Sequence, residues 1–209
     1  MITRRQFIAL SGALLPLPVF AQAGVVHEIS GEVLLNGFPM ARNSAIYPDQ
    51  TISTGRDGRA WLTVGGDAFF LRPGSELRLR ATAAGARNLL IDALRLVTGA
   101  MGATFGRGRP RSVVTPTVTI GIRGTGVYVE TSPQLTYACN CFGAVDMLST
   151  ATGTMMESVR VMAENHQARY INRDPQLGMR IARAPFERHT NEEIIRLESL
   201  AGRPSPFRT

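Results

Sequence analysis

The chain has 209 residues, with 23 basic residues against 16 acidic ones, and every basic residue is an arginine. The absence of lysine excludes Schiff-base chemistry and a Walker-type phosphate loop, both of which need a lysine amine. Three histidines, two cysteines and no Gly-x-Ser-x-Gly or His-Glu-x-x-His phrase leave the common hydrolytic templates without their residues, so no catalytic residue and no enzyme activity are expected.

Residues 1–23 read as a cleavable signal. Arg4-Arg5-Gln6-Phe7-Ile8 opens an apolar run of about a dozen residues, broken by Gly12, Pro16 and Pro18, and Ala21-Gln22-Ala23 supplies small residues before Gly24. A spanning helix needs roughly 20 apolar residues, so this run is too short to anchor the chain. Paired arginines ahead of a bulky apolar residue select the twin-arginine route. The expected location is the periplasm, with no membrane-spanning segment after cleavage. Removal of Arg4 and Arg5 lowers the net charge from +7 to +5.

From Val25 to about Ile171 short β-type runs alternate with turn residues. Asn36-Gly37, Asp57-Gly58 and Gly65-Gly66-Asp67 are hairpin signals, and Glu76-Leu77-Arg78-Leu79-Arg80 alternates strictly, as a strand with one buried face does. Thr98–Arg111 holds four glycines and three arginines and reads as a loop. Its Arg107, Arg109 and Arg111 form a candidate anion-binding loop. Aromatic residues are nearly absent there, so no nucleic acid is expected as a partner. Strands are expected again at Ser112–Ile120, Gly126–Glu130, Leu135–Cys141 and Ala144–Leu148, then at Met155–Met162 and Ala168–Ile171. Near the end, Thr190-Asn191-Glu192-Glu193 is a capping box, Ile194, Leu197 and Ala201 share one helical face, and Gly202 and Pro204 stop the helix. The extended tail beyond it is expected to dock Phe207 on the body or on a partner.

Cys139-Asn140-Cys141 is the most unusual phrase. On a strand both sulfurs project to one side about 7 Å apart, too far for a disulfide unless Asn140 sits in a turn or bulge. Three readings stay open: a buried apolar pair, a redox-active disulfide, or a metal or cofactor site. His166 and His189 are the plausible imidazole partners, although neither has ligand spacing to the cysteines. The metal candidates are Cys139, Cys141 and His166. No other cofactor is expected.

Several phrases, in order, resemble the FecR domain, a periplasmic module of iron-siderophore signalling regulators. They are Gly31-Glu32-Val33, Ile52-Ser53-Thr54-Gly55 with Asp57-Gly58, Leu71-Arg72-Pro73-Gly74-Ser75, Leu94–Gly99 and, most specifically, Val114-Thr115-Pro116 followed by Ile122-Arg123-Gly124-Thr125-Gly126. The match covers residues 31–160. It implies an all-β fold of stacked short strands, a sandwich or a short β-solenoid or roll, with one short C-terminal α-helix. Thr115, Pro116, Arg123, Gly124 and Thr125 would be its structural motif, with Arg123 bracing a tight corner through backbone carbonyls. The resemblance also implies a sensing or scaffolding role toward another envelope protein or a small ligand. The family's cytoplasmic sigma-factor-binding segment and membrane helix have no counterpart in the sequence, so anti-sigma activity is not expected. The organisation expected is thus a signal over 1–23, a FecR-like β domain over 24–175, and a helix and tail over 176–209 packed on it. The alternative function is a periplasmic metal-binding or redox protein using Cys139 and Cys141.

Overall fold

A computed structural model describes residues 24–47, 49–83, 89–150, 156–174 and 180–207; the signal expected over 1–23 lies outside them. In chain order the strands are β1 (Gly24–Ser30), β2 (Val33–Leu35), β3 (Phe38–Pro39), β4 (Thr51–Thr54), β5 (Arg59–Val64), β6 (Asp67–Leu71), β7 (Glu76–Ala83) and β8 (Leu89–Thr104). They continue with β9 (Arg111–Val114), β10 (Val118–Ile122), β11 (Gly126–Thr131), β12 (Leu135–Ser149), β13 (Ser158–Ala163), β14 (Gln167–Asn172) and β15 (Ile181–Ala184), and the helix α1 spans Asn191–Leu200. The fold is all-β with one short helix near the C-terminus.

The strands make two layers that share β8 and β12. One layer runs β1-β5-β6-β8-β11-β12-β14-β15, and the other runs β3-β2-β4-β7-β8-β9-β10-β12-β13. Pairing is antiparallel except between β8 and β9. Both shared strands change layer at a glycine with positive φ, Gly99 (+84°) in β8 and Gly143 (+82°) in β12. A side chain resists that backbone region, and glycine does not. The result is a barrel-like sheet whose interior is filled by Leu62, Phe69, Leu77, Leu94, Met101, Ile120, Val129, Val145 and their neighbours.

The glycine-rich Thr98–Arg111 stretch is mostly strand, a correction to its reading as a loop. Both Gly99 and Gly102 belong to β8: Gly99 lies where the strand changes layer, and Gly102 pairs with Phe70 of β6, whose ring a side chain there would strike. Only residues 105–110 form the connection. Likewise β9 and β10 are separated by a turn at Thr115-Pro116-Thr117, where one continuous strand was expected.

The outer face of the first layer carries an aromatic row, one ring on each of several strands. Trp61, Phe70, Tyr128, Tyr137 and Tyr170 stand 4.8–6.2 Å apart in succession. The C-terminal segment lies over this row. Helix α1 follows its sequence signals: Thr190 caps it, Glu193 completes the capping box, and Ile194 and Leu197 are buried against the row. Phe207 docks beside Phe142, with ring centroids 6.0 Å apart.

Candidate metal centre

Tyr137, Cys139 and Cys141 alternate along β12 onto the outer face, under the C-terminal segment. A bulge sits here, since Gly126 pairs with Phe142 while the next residue, Val127, pairs with Asn140, leaving Cys141 as the extra residue. Asn140 points to the interior, where its Nδ2 donates to the carbonyls of Gly143 and Val161 and its Oδ1 accepts from Thr125. The two cysteines are free and buried.

Two histidines meet them. The turn between β13 and β14 is tied to the bulge by the His166 N–H, which donates to the Cys141 carbonyl. His189 arrives from the C-terminal segment just ahead of α1 and is buried against Tyr128, with the rings stacked at 4.6 Å. Cys139 Sγ, Cys141 Sγ and one nitrogen from each histidine all lie within 4.8 Å of one another. Cys139 Sγ is 3.7 Å from His166 Nδ1, Cys141 Sγ is 3.3 Å from His189 Nε2, and the two nitrogens are 3.3 Å apart.

The outward nitrogens fix the tautomers. His166 Nε2 donates to Asn191 Oδ1 at 2.7 Å, and His189 Nδ1 donates to the Glu187 carbonyl at 3.1 Å. Each neutral ring therefore turns a lone pair inward, toward the other ring and the sulfurs. Such outer partners orient histidine ligands in metal sites. His166 is further flanked by the stacked rings of Phe186 (3.9 Å) and Phe207 (5.0 Å). The hydrogen bond from Cys141 lowers the Cys139 thiol against the opposing effect of burial. Burial pushes the Cys141 thiol up.

The spacing suits a tetrahedral ion. With bonds of about 2.3 Å to sulfur and about 2.0–2.1 Å to nitrogen, such an ion sets its nitrogens about 3.3 Å apart and sulfur from nitrogen about 3.6 Å apart. The three distances above match those edges to within about 0.3 Å. Two thiolates and two neutral imidazoles suit Zn²⁺ or Cu⁺.

Of the residues singled out in the sequence, Cys139, Cys141, His166 and His189 lie together. His189 was legible only as a histidine in a histidine-poor chain, because 48 residues separate it from Cys141. Thr115, Pro116, Gly124 and Thr125, expected as a structural motif, are woven into the barrel. Thr115 Oγ1 accepts from the N–H groups of Thr117 and Val118, Pro116 accepts from Thr150 Oγ1, Thr125 Oγ1 bonds Asn140, and Gly124 turns at φ +63°. Arg123 is 72% exposed and lies 3.7 Å from Asp146, a surface ion pair in place of the expected carbonyl brace. The arginine loop divides as well. Arg107 and Arg109 line a surface cavity of about 470 Å³ together with Arg123. Arg111 turns inward, where Nε meets Asp67 Oδ2 at 2.6 Å in a buried pair. Burial pushes the Asp67 carboxyl up, while the Gly106 N–H and Arg111 counter it.

No family model matches the chain, and no curated protein matches it. Among solved structures it is similar to two crystal structures from Parabacteroides distasonis, each described as a "putative anti-sigma factor". One is 15% identical, with a TM-score of 0.50, over 73% of this chain and 74% of that one. The other is 16% identical, with a TM-score of 0.49, over 64% of this chain and 58% of that one. At these identities the likeness is one of fold. No helix among the described residues is long and apolar enough to cross a membrane.

Proposed function

We propose that the protein is a FecR-like binding module of the periplasm, exported by the twin-arginine route, whose ligand is a d¹⁰ metal ion held by Cys139, Cys141, His166 and His189. The observation that carries this reading is the convergence of two sulfurs and two imidazole nitrogens within 4.8 Å of one another, with three of their separations close to tetrahedral edge lengths. A divalent ion balances the charge of the two thiolates that would bind it, which favours Zn²⁺. Four protein ligands leave no open position for substrate, which supports a binding role over catalysis.

The test is a titration of the purified protein, under reductant, with Zn²⁺ and with Co²⁺ as a coloured substitute. One equivalent should bind, Co²⁺ should give tetrahedral ligand-field bands with thiolate charge transfer, and Cys139→Ser should lose about half of the thiolate intensity. Elemental analysis finding no stoichiometric metal, together with a featureless Co²⁺ spectrum, would refute it.

A further inference from the structure

The four ligands come from two bodies. Cys139, Cys141 and His166 belong to the barrel, whereas His189 belongs to the segment that covers the barrel's aromatic row. Asn191, which orients His166, is the first residue of α1. Resting on the metal-binding reading above, we infer that the ion latches the C-terminal segment, residues 185–207, onto the sheet, so that metal occupancy governs how firmly the aromatic row is covered.

Apart from the ring contacts of Phe186 and Phe207 and the hydrogen bonds that join Tyr137 and Tyr170 to Pro185 and Glu187, the attachments of this segment are of two kinds. One is a set of ion pairs near the surface: Arg72 with Glu193 at 2.8 Å, Arg196 with Glu28 at 2.5 Å, and Arg188 with Glu130 at 2.7 Å. Their side chains are 22–45% exposed, and pairs of that kind add little to stability. The second is the burial of Ile194 and Leu197, together with Arg203, which reaches Glu198, Thr104 and the Gly66 carbonyl. A ten-residue helix is marginal by itself in water and depends on what it packs against. Directly before His189, Arg188 takes φ +73°, a left-handed backbone that a non-glycine residue adopts at a cost. A bond from His189 to an ion seated on β12 would hold that turn in place and fix the entry of the helix. Because the site needs both bodies, its binding energy stabilises the docked arrangement over the undocked one.

The protein carries its own reporter. Trp61 is the single tryptophan, and the guanidinium of Arg196 on α1 lies over its ring, 4.2 Å from the centroid. The experiment strips the purified protein with chelator under reductant, then adds Zn²⁺ while following Trp61 emission and amide hydrogen exchange. At a Zn²⁺ concentration about 100-fold above Kd, complete coupling would slow exchange in residues 192–203 by about 100-fold. A slowing of tenfold or more, with β10 (Val118–Ile122) unchanged and a shift in Trp61 emission, is the expected result. His189→Gln leaves three ligands on the barrel; Zn²⁺ should then bind more weakly and no longer slow the segment, with β10 protection reporting that the barrel is intact. One equivalent of Zn²⁺ bound with identical exchange over 192–203 in its presence and absence would overturn the latch and leave the metal site standing. Failure to bind Zn²⁺ at all would remove both.

Discussion

At the residue scale, the amide of Asn191 decides which nitrogen of His166 faces the sulfurs. Its Oδ1 accepts the Nε2 proton, so Nδ1 is left as the ligand atom. Asn191 is not one of the four clustered ligands, yet its hydrogen bond to His166 restricts ring rotation and tautomer together. Asn191→Ala should therefore weaken Zn²⁺ binding by about 10–100-fold while keeping one-to-one stoichiometry and the tetrahedral Co²⁺ spectrum. Competition against a chelating dye measures it; an unchanged affinity would mean that the Phe186 and Phe207 rings orient His166 without help. The sequence discloses the cysteine pair because Cys-x-Cys is rare and local. It offers His189 only as one of three histidines and does not disclose Asn191; their relation to the cysteines exists only after the C-terminal segment has crossed the sheet. Arg111 illustrates the opposite error. Its neighbours Arg107 and Arg109 suggest one exposed basic loop, but β9 begins at Arg111 and turns it toward Asp67 in the interior.

At the element scale, the site depends on how β12 is bent. The strand serves one layer through residues 135–142 and the other through 143–149, and it turns at Gly143. Cys141, the bulge residue, lies two positions before that turn. A side chain at Gly143 would need a left-handed backbone and would stand 2.9 Å from Thr125 Cβ and 3.2 Å from the Gly124 carbonyl. Gly143→Ala should cost about 2 kcal/mol or more in stability. Gly121, in β10, is the internal control: an added methyl there would meet the Asp146 carbonyl at an ordinary 3.6 Å, and Gly121→Ala should stay within about 1 kcal/mol. Urea denaturation of the two variants checks the contrast, and equal destabilisation would count against the bend as the cause. The short strands and the capped helix are readable in sequence because their turns and caps are made by adjacent residues. The long shared strands are not. Glycines that permit a crossing look the same, in one dimension, as glycines that permit a loop.

At the scale of the whole molecule, compartment and site bear on each other. Two neighbouring thiols exposed to an oxidising periplasm are open to oxidation, whereas thiolates already bonded to an ion are shielded. The twin-arginine route carries folded proteins, so a chain exported that way can close its C-terminal segment over a metal acquired in the reducing cytoplasm. The general secretory route would deliver the same chain unfolded and empty. Replacing Arg4 and Arg5 together by lysine should therefore block export of the native precursor. Replacing residues 1–23 by a general secretory signal should restore export, but yield protein whose Cys139 and Cys141 lack metal. Mass spectrometry of intact protein recovered from the periplasm, with alkylation of free thiols, separates the cases. Metal content equal by both routes would show that loading occurs after translocation, and export indifferent to the double substitution would refute the twin-arginine assignment itself.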